Sequence, residues 1–149
     1  ELGVYTVIPV AMKNCVVKLD DKKAKSKVTR WQAIAESAAK QSKRSLIPEV
    51  KMPMSYKEAV AYAKKLDVKL VPYENEHGMA GTKAAMEQIK KGESIAVFIG
   101  PEGGFSEDEV RLAEEAGMKI CSLGPRILRC ETAPLCALSA VLYAAGALE

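Results

Sequence analysis

Apolar residues along this 149-residue chain fall in short runs separated by longer amphipathic stretches. Val4–Val10 (VYTVIPV) predicts a buried strand ending near Pro9, and Val16-Val17-Lys18-Leu19 a second, shorter one. Asp20–Lys27 (DDKKAKSK) reads as a charged loop. Thr29 is placed to cap a helix from about Arg30 to Ser42, with Trp31, Ile34, Ala35 and Ala38 on one face. Pro48–Pro53 reads as an extended loop. Ser55 and Glu58 form a capping box before a second helix, and Val68–Val71 predicts a strand. After a Gly78–Gly81 loop, Thr82–Lys91 predicts a short helix stopped by Gly92. Ile95–Ile99 (IAVFI) is continuously apolar, as expected of a central parallel strand. Ser106 and Glu109 make another capping box, for a helix ending at Gly117. Lys119–Leu123 predicts a strand and Thr132–Ala147 the last helix. Strands alternating with helices give an α/β class, a mainly parallel sheet flanked by helices. No repeat or linker interrupts the pattern, so residues 1–149 are expected to form a single domain.

Composition narrows the class. No apolar run approaches the roughly 18 residues of a membrane helix, and no basic-then-apolar leader opens the chain. The start at Glu1-Leu2-Gly3 falls in mid-pattern, so a longer protein, N-terminally truncated here, is expected. Cys15, Cys121, Cys130 and Cys136 lack C-x-x-C spacing and there is one His, a pattern unlike a zinc site. Free thiols in a reducing, cytoplasmic setting are expected, with no metal and no membrane partner. Residues 1–64 hold 13 Lys/Arg and 6 Asp/Glu, whereas residues 65–149 hold 9 and 13. The front half, at +7, suits a polyanion; a merely solvated face is the alternative.

Candidate chemistry lies in two loops. Gly100-Pro101-Glu102-Gly103-Gly104 leaves a strand and enters a capped helix, where ligands of parallel sheets bind. It is neither a phosphate-binding P-loop nor G-x-G-x-x-G, and a ligand-free tight turn is its alternative. Ser122–Ala133 interleaves Leu123, Ile127 and Leu128 with Arg126, Arg129 and Glu131. Such a loop can surround an apolar ring and present backbone groups to its edge. Its alternative is a surface Arg–Glu pair.

Taken together, Ile99-Gly100-Pro101-Glu102-Gly103-Gly104-Phe105-Ser106 and Leu123-Gly124-Pro125-Arg126-Ile127-Leu128-Arg129-x-Glu131-Thr132-Ala133 resemble two signatures of the ribosomal RNA small subunit methyltransferase E family, of the SPOUT superfamily. Arg30-Trp31-Gln32, Gln41-Ser42-x-Arg44 and Pro48-Glu49 match further, as do Glu1-Leu2-Gly3-Val4 and Ile8-Pro9. The resemblance spans nearly the whole chain. Cys130 stands where the family usually has Thr, and Ser37 where it often has Glu.

The resemblance implies a SPOUT-type α/β knot, a C-terminal trefoil, which is an exception to the usual absence of knots. It implies S-adenosylmethionine as cofactor, held by Glu74, Ile99, Gly100, Gly103, Leu123, Gly124, Ile127, Leu128 and Thr132. It implies methylation of uridine N3 in 16S rRNA, within the small ribosomal subunit. Full-length members carry an N-terminal PUA-like RNA-binding domain, which is expected to lie outside this sequence. Uridine N3 is a poor nucleophile until deprotonated, so an Arg near the base carbonyls would stabilise the anion. Arg129 is the first candidate and Arg30 the second, with Glu131 or Glu102 as proton acceptor. Spacings of 7, 4 and 3 place Arg30, Ser37, Gln41 and Arg44 on one helical stripe. With Arg126, Arg30, Gln41 and Arg44 are the expected RNA contacts. The last helix (PLCALSAVLYAAG) is apolar nearly all round, so burial against a second copy, as a homodimer, is expected. Rival readings are a SPOUT enzyme acting on a ribose 2′-O or a tRNA base, and a non-catalytic RNA-binding module. A flavodoxin-like or Rossmann-type nucleotide enzyme fits less well, because no phosphate loop follows an early strand.

Overall fold

Two prolines shape the first part of the chain. The structure is a computed structural model describing residues 1–18, 20–76 and 78–147. It divides into two compact units, Glu1–Ala11 with Cys15–Ala59, and Met12–Asn14 with Val60–Glu149.

In the first unit β1 (Thr6–Val7) pairs in parallel with β3 (Glu49–Val50), and β2 (Val10–Ala11) with β4 (Met54–Ser55). Pro9 and Pro53 sit between the two pairs and have no N–H to give, so one ladder is cut in two. Pro9 still accepts, from Met54 N at 3.0 Å. Pro48–Pro53, expected as loop, therefore contains a strand: Glu49 N donates to Tyr5 O at 3.1 Å and Lys51 N to Val7 O at 2.9 Å. The expected Val16–Leu19 strand does not form in its described part. Val16 and Val17 are 88% and 68% exposed, and Leu19 lies outside the described residues.

The long helix α1 (Asp21–Gln41) corrects a boundary. Asp20, not Thr29, is its N-cap, accepting from Lys23 N at 2.8 Å. The lysine-rich segment read as a loop is the first two turns, since Lys and Ala are good helix formers once a cap is present. Thr29 is interior, its hydroxyl donating to Lys25 O at 3.0 Å. Lys43 adopts φ 57° just past the helix, and Arg44 N returns to Ala39 O at 2.9 Å. Trp31, Ile34, Ala35 and Ala38 do share a face. It lines an open apolar groove of about 480 Å³, with Val4, Val7, Pro48 and Val50 on the other side. Ser55 and Glu58 form the expected capping box of α2 (Tyr56–Ala63), with Glu58 Oε2 accepting from Ser55 N at 2.8 Å and Oγ at 2.7 Å. Those bonds hold the Glu58 carboxyl below its usual range.

In the second unit β6 (Ile95–Val97), β5 (Val68–Pro72) and β7 (Lys119–Cys121) form a parallel sheet in the order β6-β5-β7. The centre is β5, not the Ile95–Ile99 run. Leu70 and Val71 are its fully buried pair, while β6 is half-buried at an edge. Apolar continuity pointed to the wrong strand because β5 carries Lys69, whose amine escapes to Leu66 O at 3.0 Å. Entry into β5 and β6 is aligned by Asp67, whose Oδ2 accepts from Ser94 N at 2.9 Å and Ser94 Oγ at 2.6 Å. These bonds hold its carboxyl below the ordinary value.

Around this sheet lie α3 (Ala80–Glu87), α4 (Glu107–Glu115) and α5 (Thr132–Ala144). Leu70, Ile89, Cys121 and Val141 form a core cluster, packed by Val68, Val97, Met86 and Ala144. Burial of each large aliphatic side chain contributes about 1.5–3 kcal/mol, and the same burial pushes the Cys121 thiol up to about 11. The capping box of α4 forms as expected, Ser106 N and Oγ donating to Glu109 Oε2 at 2.8 and 2.9 Å. The last helix is not buried all round. Ala137 and Val141 face the core, but Leu135 is 58% and Tyr143 80% exposed.

Thr82, on α3, is buried and bonds twice to the residue after β7. Its hydroxyl donates to Ser122 O and accepts from Ser122 N, both at 2.9 Å. Thr82→Val removes, at nearly constant volume, the one hydroxyl that partners both the N–H and the carbonyl of Ser122. We expect a loss of about 1–3 kcal/mol, read as a lower urea midpoint at unchanged slope. An unchanged midpoint would contradict this bracing role.

Candidate active site

Parallel pairing brings the carboxyl ends of β5, β6 and β7 to one edge of the sheet, the side on which parallel sheets bind ligands. Three loops leave that edge, beginning with residues 73–76, 98–106 and 122–131. The ladder persists into them, with Phe98 N donating to Leu70 O and Tyr73 N to Cys121 O, both at 2.9 Å.

Each glycine of the first loop answers to a different neighbour. A Cβ on Gly100 would lie 3.0 Å from the Phe105 ring. On Gly103 it would lie 2.9 Å from Asn14 Cβ. On Gly104, whose φ is +68°, it would collide with the Glu74 carboxylate. Glu74 thus packs directly on this loop. Gly104 N donates to Pro101 O at 2.8 Å, closing the turn. Phe105 is buried and meets Tyr73 edge-on, ring centroids 6.4 Å apart.

The second loop starts from the Thr82–Ser122 bracing. Ser122 Oγ accepts from Gly124 N at 3.2 Å, and Gly124 takes φ +113°. Arg129 O accepts from both Thr132 N and Ala133 N at 2.9 Å, so the Arg129 carbonyl starts α5 while its side chain is exposed. Cys130 joins the loops, its thiol donating to Gly100 O at 3.4 Å. Burial, then Glu102 and Glu131, and more weakly Glu74, push that thiol's pKa up. Three carboxylates therefore bear on the junction.

Among the residues anticipated for the cofactor, Glu74, Ile99, Gly100, Gly103, Leu123, Gly124, Ile127, Leu128 and Thr132 all belong to this unit. Ile99, Leu123 and Leu128 are half-buried, whereas Ile127 is 86% exposed. Arg126 and Glu131 are exposed. Arg129 and Glu131 form no ion pair with each other among the described residues, so the surface-pair alternative does not hold. Arg30, Ser37 and Gln41 are exposed along α1 in the other unit. Arg44 leaves the predicted stripe, because α1 stops at Gln41 and the Arg44 guanidinium donates to Val4 O at 3.1 Å.

Sequence patterning missed three contributors to the loops. Asn14 Nδ2 donates to Gly103 O at 3.0 Å and Gly104 O at 3.1 Å. Lys13 N donates to Glu109 Oε1 at 2.9 Å, on the carboxylate that also caps α4. Thr82 braces the second loop. Asn14 lies 89 and 90 residues from its partners, so no local motif marks it. Among the described residues no group of three metal-ligating side chains occurs, and no helix is long and apolar enough to cross a membrane.

Known proteins share this arrangement. The chain is 45% identical to a ribosomal RNA small subunit methyltransferase E from Bacillus subtilis, over 96% of this chain and 57% of the relative. It is 37% identical to the protein of that name from Mesomycoplasma hyopneumoniae, over 91% and 56%. It thus spans a little over half the length of these relatives. A ribosomal RNA small subunit methyltransferase E from Neisseria gonorrhoeae, solved with S-adenosylmethionine bound, superposes with TM-score 0.80 at 36% identity, over 97% of this chain and 56% of that one. A Legionella pneumophila methyltransferase, also solved with S-adenosylmethionine, gives 0.87 at 35%, over 97% and 57%. The resemblance carried by the motifs is therefore upheld. A family model described as an RNA methyltransferase domain matches residues 1–142, and the chain belongs to that family.

Proposed function

We propose that this chain is the catalytic part of an S-adenosylmethionine-dependent methyltransferase acting on N3 of a uridine in 16S rRNA, in the small ribosomal subunit. The observation that carries the reading is the junction of the two glycine-bearing loops, sealed by Cys130 on Gly100. Glu74, Glu102 and Glu131 bear on it, and carboxylates near a site favour a ligand that carries positive charge. S-adenosylmethionine carries such charge on its sulfonium and ammonium, and two relatives of this fold were solved holding it. When bound, it supplies an electrophilic methyl group.

The protein's own residues supply the rest. Gly100, Gly103 and Gly124 leave the backbone open to close approach, and Ile99, Leu123, Ile127 and Leu128 offer apolar walls. Glu74 and Thr132 complete the edge. Arg129 is exposed and without an acidic partner among the described residues, so its guanidinium is available to stabilise charge on the uracil carbonyls as the N3 proton leaves. Arg30 is the second cation, and Glu131 or Glu102 the proton acceptor. Along α1, Lys22, Lys25, Lys27 and Arg30 are exposed with no carboxylate bridged to them among the described residues, which suits phosphate contacts. Gln41 and Arg126 extend the RNA-facing set, whereas the Arg44 guanidinium is turned to Val4 O. A C-terminal trefoil knot is part of the proposal. The exposed Leu135 and Tyr143 on α5 support a homodimer through that helix. A cytoplasmic site of action follows from the rRNA substrate.

Four measurements test this. Arg129→Ala should lower methyl transfer to 30S subunits about 100-fold or more while S-adenosylmethionine binding by calorimetry changes little. Wild-type turnover would refute its role, and nucleoside mass spectrometry of the product must find a base-methylated uridine. Gly104→Ala should weaken cofactor binding at least about tenfold, because a left-handed φ and the Glu74 carboxylate both oppose a side chain there. Sedimentation at micromolar concentration should give a dimer, and a monomer would end that part of the proposal.

A further inference from the structure

The first loop is short of internal constraints. Three of its five residues are glycine, which lose more freedom on ordering than any other residue. One hydrogen bond within the loop, Gly104 N to Pro101 O, fixes a single turn. Cys130 holds Gly100 O and Glu74 packs on Gly104; a further restraint comes from Met12–Asn14, a three-residue segment that belongs to the same unit as the loop although the chain on either side of it does not. Lys13 N is anchored on Glu109 Oε1 at 2.9 Å, and Glu109 is itself buried and fixed by Ser106. From that anchor the next side chain, Asn14, reaches the loop. Its Nδ2 donates to Gly103 O at 3.0 Å and Gly104 O at 3.1 Å, and its Cβ occupies the space a side chain at residue 103 would need.

We propose that Asn14 is a positioning residue for the cofactor loop: its carboxamide holds two successive peptide planes in the orientation that receives S-adenosylmethionine. The inference rests on the proposed function of that loop. The peptide between Gly103 and Gly104 is tied at both polar ends, its carbonyl by Asn14 and its N–H by Pro101 O. The next carbonyl is tied by the same amide. Two glycine peptides that would otherwise be held by the Pro101 bond alone are thereby set before ligand arrives, which lowers the ordering cost of binding. Only a donor can do this, because both partners are acceptors. An aspartate at the same place would set a carboxylate against two carbonyl oxygens and repel them.

The test uses the full chain with three variants: Asn14→Ala, Asn14→Asp and the longer amide Asn14→Gln. Asn14 is exposed, so the thermal midpoint should stay near wild type in all three. Without cofactor, hydrogen exchange at the Gly104 amide should quicken in Asn14→Ala. Calorimetry should give S-adenosylmethionine binding about 10-fold weaker for Asn14→Ala, weaker still for Asn14→Asp, and partly restored for Asn14→Gln. In turnover, KM for the cofactor should rise by the same factor, with KM for RNA unchanged. Cofactor binding within twofold of wild type in both Asn14→Ala and Asn14→Asp would overturn the inference and leave the proposed function standing. A wild-type chain that binds no S-adenosylmethionine would overturn the proposed function and this inference with it. Equal loss in Ala and Asp variants, with no rescue by Gln, would also count against the donor role.

Discussion

The parallel alignment of β6 and β7 on either side of β5 is the constraint on which the candidate site depends. Parallel strands share a direction, so the chain leaves all three at one edge. Antiparallel pairing would have sent one of these loops to the opposite side. Register then sets their mutual height. Leu70 faces Val97, the last residue of β6, and Lys119, the first of β7, so the loops after β5 and β7 start level and the loop after β6 starts two residues below them. Asp67 and Ser94 hold that register at the amino ends, and Thr82 holds Ser122 at the carboxyl end. The loops meet because the strands beneath them are locked at both ends.

Much of this was legible in the sequence. Local chemistry gave the reliable signals: the Ser55–Glu58 and Ser106–Glu109 boxes form, and glycine and proline marked the turns. The two loops were legible as loops leaving the sheet because their glycines follow apolar runs. Long-range pairing was less legible. Glu49–Val50 is a strand because β1 lies beside it, and nothing between Pro48 and Pro53 announces that partner. The central place of β5 was hidden by Lys69, whose amine leaves the sheet although its stem stays. Val16 and Val17 erred in the other direction, since two β-branched residues do not make a strand without a neighbour to pair with.

The start of α1 carries a separate lesson about charge. Asp20-Asp21-Lys22-Lys23 looks like a solvated loop if only polarity is counted. The first aspartate is a cap and the second lies in the first turn, where negative charge is favourable. The lysines that follow gain nothing from that end of the dipole. They are there despite the dipole, because lysine is a good helix former and the capped end fixes the first turn.

The glycines of residues 100–104 show why a motif and its structural support are read differently. Glycine at residue 104 could be inferred from a turn, but the reason no other residue fits is Glu74, thirty positions earlier. Glycine at residue 103 has its reason in Asn14, almost ninety positions earlier. A glycine loop tolerates a ligand because it lacks side chains, and for the same reason it cannot hold its own shape. Its shape must come from elements that carry side chains, and those lie wherever the fold brings them. The loop signature is therefore compact in sequence while its scaffold is scattered, and Glu109 is the point where the two meet. One carboxylate caps α4 with one oxygen and anchors Lys13 with the other, so the helix that ends the loop and the segment that clamps it share a single fixed group.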